Sequence, residues 1–188
     1  MIAGGQDLLY GHLLLFVCSF FYTTWWSRAF RPQNAVNNWE TWTFLVITMI
    51  SGLAAIVFLL MGTLFTEQKD VIPYVTAIFG GGTILYLALL FITSKHYGRP
   101  PTSELLFIVL WLTLELASLV VLQSMGLSHN ISIISCVVAI LIFVINMACY
   151  MAYYKLSESI GFLIGMVPLG LAGISSVALS LIIMTELH

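Results

Sequence analysis

The sequence predicts an all-α, polytopic membrane protein: a bundle of six transmembrane helices with both termini outside. Three observations carry that prediction. Hydrophobic residues make up 61% of the 188-residue chain and charged residues only 7%, where a water-soluble domain uses about 25% charged residues to cover itself. Six apolar runs, at about 8–26, 43–65, 74–94, 105–125, 131–154 and 161–185, reach the ~20 residues that cross ~30 Å of hydrocarbon at 1.5 Å per residue. The connections between them are polar or turn-rich, and Pro32, Pro73, Pro100 and Pro101 sit where a helix stops or starts. One membrane domain, residues 1–188, accounts for the whole chain, since no connection is long enough to fold separately.

Charge sets the expected orientation. Arg28, Arg31, Lys95, Arg99 and Lys155 fall in the first, third and fifth connections, and Lys69 is the one basic residue elsewhere. Lys and Arg accumulate on the cytoplasmic side. The connections 27–42, 95–104 and 155–160 are therefore expected in the cytoplasm, with both termini outside and the protein in the cell membrane. Trp25, Trp26, Trp39, Trp42, Tyr153 and Tyr154 gather at the same level, as aromatic residues do at a membrane interface. The bilayer is the first expected partner. Nucleic acid is excluded as another, because the chain carries a net charge of −2 and no basic patch.

The first run starts near Leu8 with no basic residue before it and no small-residue cleavage site, so it is expected to stay as a span. His12, Ser19, Thr23 and Trp26 form one stripe along it. Imidazole is the side chain whose ordinary titration lies near neutral pH, so His12 can relay a proton. The structural alternative is a histidine bonded to a neighbouring carbonyl or hydroxyl. On the second run, Thr41, Thr48, Gly52, Ala55 and Gly62 recur close to heptad spacing and predict close helix packing. The third carries Gly80, Gly81 and Gly82. Each weakens a helix by about 1 kcal/mol relative to alanine, which implies close packing or local unwinding beside a cavity. No Lys-Ser/Thr ending follows, so the run is no phosphate loop.

The fourth run, from Glu104 to Met125, holds one carboxylate, Glu115, at its middle. A central acid costs roughly 2.5–3.5 kcal/mol to insert. The thirteen Leu, Ile, Val and Phe between Leu105 and Ser124 each return about 0.3–0.6 kcal/mol. The segment still inserts, but Glu115 must face a bundle, a cavity or a partner rather than lipid. Trp111, Glu115, Ser118 and Leu122 share one face. With no Lys or Arg at that depth, Glu115 is expected to be a proton or cation site. Its structural alternative is a neutral carboxyl bonded to Asn146, a tyrosine or a carbonyl, holding helices in place.

On the fifth run, Ser132, Ser135, Ala139, Asn146, Tyr150 and Tyr153 lie along one side. Asn146 is expected to donate to Glu115, and Asn146 with Tyr150 to continue a polar path inward; as structure, Asn is interhelical glue. The sixth run has Pro168, which frees the carbonyl of Ile164 and predicts a kink, read as a hinge or a packing device. Ala172, Ser176 and Ser180 follow four apart.

Cys18, Cys136 and Cys149 lie inside apolar runs without CxxC spacing, so neither a disulfide nor a metal site is expected. No GxSxG, HExxH or paired carboxylates appear, which points away from an enzyme, and nothing indicates a cofactor. The expected function is transport of a small molecule or ion, or a channel for one, proton-linked through Glu115. Its pathway would pass His12, Trp111, Asn146 and Tyr150. The alternative from another class is a membrane-embedded sensor or complex subunit, bound to a partner chain or to further copies of itself.

Overall fold

The computed structural model describes residues 3–29, 39–98, 103–153 and 155–187. Arg31, Pro32, Arg99, Pro100, Pro101 and Tyr154 lie outside them. The described residues form α1 (Ala3–Ala29), α2 (Trp39–Leu64), α3 (Ile72–Tyr97), α4 (Ser103–Ser124), α5 (His129–Tyr153) and α6 (Glu158–Glu186), with a short 3-10 turn, Lys69–Val71, ahead of α3. There is no strand among them. All six helices are long and apolar enough to cross a membrane. Several begin a turn or less before the apolar run that announced them. Hydropathy marks the residues that meet hydrocarbon, whereas the i→i−4 hydrogen-bond ladder continues into the interface.

Two glycines close the helix ends that need a left-handed residue. Gly98 (φ 60°) caps α3, with its N–H on the carbonyl of Thr93. Gly126 (φ 113°) turns the chain between α4 and α5, where the Leu127 N–H reaches the Leu122 carbonyl at 3.0 Å.

The fourth helix is the one the others surround. In its apolar centre 72% of the residues are buried, against 6% in α3. It packs on α3 and α5 along its length and touches α2 and α6, while α1 lies between α2 and α6. The outer helices turn large apolar side chains away from the bundle, such as Phe20, Ile50, Leu53, Ile84, Phe91, Leu163 and Ile174. An exposed apolar surface of that extent is consistent with helices that cross a membrane.

One end of the bundle, called the upper end, is closed by a cluster to which every long helix except α5 contributes a buried residue. Leu8, Leu59, Val75, Leu122 and Ile183 belong to it, together with Leu127 of the α4–α5 turn. Two smaller clusters lie below, one around Trp111, Leu112, Ala139 and Ile142 and one around Leu105, Ile108, Val109 and Tyr150. Small residues set the closest approaches. Gly11 lies against Leu59, Gly62 against Leu8 and Gly52 against Cys18, all between α1 and α2.

The third helix is continuous through Gly80–Gly82, so the local unwinding considered from the sequence does not occur. Gly82 lies against Thr113 of α4, and the space beside Gly80 and Gly81 holds no atom of the chain within 4 Å of where a Cβ would stand. The backbone keeps its own hydrogen bonds, which in lipid it has no cheap way to replace. Likewise α6 runs unbroken through Pro168.

Candidate functional site

Polar side chains inside these helices are mostly satisfied locally. The hydroxyls of Thr48, Thr63, Thr93, Thr113, Ser118, Ser176 and Ser180 each donate to the carbonyl four residues earlier, at 2.7–2.8 Å. A hydroxyl spends nothing on tertiary contacts this way, and the groups that do not follow the pattern stand out.

Five buried side-chain atoms among the described residues have no hydrogen-bond partner: both ring nitrogens of His12, Trp111 Nε1, Glu115 Oε2 and Asn146 Oδ1. Their residues belong to α1, α4 and α5 and are 0–7% exposed. An unsatisfied buried polar atom costs about 1–3 kcal/mol, and folded proteins hold few of them. Three of the five atoms belong to His12 and Glu115, whose helices bring them together.

Three helices meet there. Glu115 of α4 accepts a hydrogen bond through Oε1 from Ser175 Oγ of α6 at 2.6 Å. Its other oxygen, Oε2, faces His12 Nδ1 of α1 at 3.7 Å. That separation is within ion-pair range but longer than a hydrogen bond. His12 is fully buried and Glu115 is 4% exposed. Each of the three has a buried leucine one turn above it: Leu8 at 0%, Leu119 at 3% and Leu179 at 2% exposure. The pair is therefore shut on its upper side by the Leu8–Leu122–Ile183 cluster.

His12 and Glu115, which lie on separate runs of the sequence, are thus neighbours in the structure. Asn146, the expected donor, does not bond Glu115. At the upper end Gln123 of α4 meets His129 (3.0 Å) and Ser132 (3.4 Å) of α5. Counting down both antiparallel helices from there places Glu115 level with residues 137–140, and Asn146 about 9–13 Å below it at 1.5 Å per residue. Ser175 takes that role instead. Its sequence signal was the serine pair at 175–176, of which only Ser176 fits the Ala172–Ser176–Ser180 row. Trp111 stands one turn below Glu115, and Tyr150 packs lower still, with Leu105 and Val109.

No family model, curated protein or solved structure matches this chain.

What the site can do follows from its atoms. With Oε1 engaged by Ser175, the carboxyl has one free oxygen, and that oxygen faces an imidazole nitrogen. A carboxyl and an imidazole can exist as two neutral groups or as an ion pair, and one proton moving 3.7 Å or less converts one into the other. The same two atoms form a donor set for a small cation. Among the described residues no third His, Cys, Asp or Glu joins them, so the arrangement is a pair and not a metal cluster.

Proposed function

We propose that this chain is a multi-pass protein of the cell membrane, a single transmembrane domain that carries or conducts a small molecule or ion with proton linkage. The His12–Glu115–Ser175 constellation serves as its proton or cation site. The upper end, with both termini, faces outside, and the connections 27–42, 95–104 and 155–160 face the cytoplasm. The basic residues of those connections support that orientation.

The observation that carries the proposal is an acid and an imidazole 3.7 Å apart inside the most buried helix packing, with unpartnered polar atoms on both. Ionisable groups at membrane depth are expensive and mark ion or proton pathways by default. The experiment uses proteoliposomes with a trapped pH dye, in which a potassium diffusion potential drives proton movement. Glu115→Gln keeps an oxygen for Ser175 and should leave a folded protein that moves no protons above empty liposomes. Wild-type protein indistinguishable from empty liposomes, or a Gln variant as active as wild type, overturns the assignment.

A second reading has an observation of its own. The third helix, with 6% of its centre buried, packs chiefly on α4 and presents Gly80 and Gly81 to open space. That face suits a neighbouring helix in a complex, as the subunit reading requires. Native mass spectrometry of the gently solubilised protein separates the two: a stable partner or oligomer supports the subunit reading, and a conducting monomer refutes it.

A further inference from the structure

Two of the five unpartnered atoms lie outside the His12–Glu115 pair, and they complement each other: Trp111 Nε1 donates and Asn146 Oδ1 accepts. Trp111 sits about 6 Å below Glu115 on α4, and Asn146 about 9–13 Å below it on α5, by helical rise from the Gln123 contacts. Side chains lean toward the N-terminus of their own helix, and these helices are antiparallel. Trp111 therefore leans down and Asn146 leans up, toward each other. Tyr150 follows one turn below Asn146, 5% exposed.

Above the pair the composition changes. Leu8, Leu119 and Leu179 cover His12, Glu115 and Ser175 one turn up, and behind them Val75, Leu122 and Ile183 complete an apolar cap at 0% exposure. A water needs two to four polar partners to stay in a protein interior. Among the described residues the unpartnered atoms beyond the pair lie on the lower side, whereas the hydroxyls of Thr63 and Ser180 beside the cap are already bonded to carbonyls of their own helices.

We infer that the His12–Glu115 pair exchanges protons with the lower, Tyr150-bearing side alone, through ordered water held between Trp111 and Asn146. Trp111 and Asn146 are positioning residues for that water. The inference rests on the pair being a proton site, and it adds the side from which the site is reached. His12 is the titratable group within ion-pair distance of Glu115. Asp7 lies five residues above His12 on α1, Glu40, Lys95, His96, His129 and Glu186 stand at helix ends, Tyr74 is at the start of α3, Cys149 is near the end of α5, and Tyr86 and Tyr150 are in the lowest cluster. Cys136 lines a cleft with Leu116, Leu119, Gln123 and Ser132, on the outer side of Leu119 in the upper half of the bundle.

The test follows the carboxyl of Glu115 by infrared difference spectroscopy in liposomes sorted by protein orientation, its band assigned by Glu115→Gln. Impermeant buffers allow a pH jump in one bath at a time. A jump on the lower side should change the band promptly, and one on the upper side should not change it until the gradient has decayed. Asn146→Leu and Trp111→Phe should slow the lower-side response by about 100-fold, the lower end of what a positioned proton-transfer group contributes, with melting behaviour retained in at least one of the two. Equal responses from both baths, a faster response from above, no carboxyl change from either bath, or unchanged kinetics in both variants overturns the inference. Absence of net proton flux alongside one-sided exchange defeats the transport reading and leaves this one standing.

Discussion

The contact between α1 and α2 gives the most direct measure of how tightly this bundle is built. A Cβ placed on Gly62 would lie 2.8 Å from both Cγ and Cδ2 of Leu8 and 3.1 Å from the Leu8 backbone nitrogen. Carbon atoms prefer 3.5–4.0 Å, so α1 would have to retreat by several tenths of an ångström to about 1 Å. Leu8 is fully buried and cannot swing aside. Overpacking of this kind costs roughly 1–3 kcal/mol. Gly80 and Gly81 supply the control, because a Cβ there meets nothing within 4 Å. Alanine at either should be neutral or stabilising by up to about 1 kcal/mol, since a helix-interior glycine costs that much. The propensity gain is common to both helix-interior sites, so reversible unfolding of the purified protein in bicelles should place Gly62→Ala about 1–3 kcal/mol below Gly80→Ala. Equal stability of the two would refute the packing argument. A large loss in Gly80→Ala instead would mean that a partner covers that face. Because Leu8 lies one turn above His12, Gly62→Ala should also disturb the His12–Glu115 contact and lower proton movement.

Further expectations follow from individual contacts. Ser175→Ala removes the 2.6 Å donor to Glu115 and should cost about 0.5–1.5 kcal/mol if the carboxyl is neutral and about 1.5–3 kcal/mol if it is charged, so the same unfolding assay also reports the state of the acid. His12→Leu should remove the pH dependence of proton movement while Glu115 stays folded against Ser175; unchanged pH dependence would show that the imidazole is only structural. Leu122→Ala, at a fully buried position of the upper cap, should destabilise by about 2–5 kcal/mol through the cavity it opens. Arg28→Ala breaks a 2.6 Å ion pair with Glu40 whose side chains are 46% and 67% exposed; the change should stay below about 1 kcal/mol, as for surface pairs generally.

Much of the helical framework was readable from residues alone. Six long apolar runs are of the length and composition that cross a membrane, where each span must close its own backbone bonds, and each run is a helix. The position of α4 was readable too. A helix carrying Glu115 must be surrounded at its centre, and α4 has the most buried centre of the six. Packing signals such as Gly52 and Gly62 were readable because small residues recur at helical spacing. What failed was pairing across helices. Asn146 looked like the natural neighbour of Glu115 because both are costly at membrane depth, yet interhelical register decides who meets whom.

The sequence by itself determined the six long apolar helices and the residue most in need of a partner, because each depends on composition within a single segment. Tertiary structure decided that the partners are His12 and Ser175, that leucines shut the pair from above and that Trp111 and Asn146 lie below it. Those facts depend on the relative height of α1, α4, α5 and α6. A shift of two or three residues along any one helix, invisible in its hydropathy, would move a side chain by about 3–5 Å and exchange one neighbour for another.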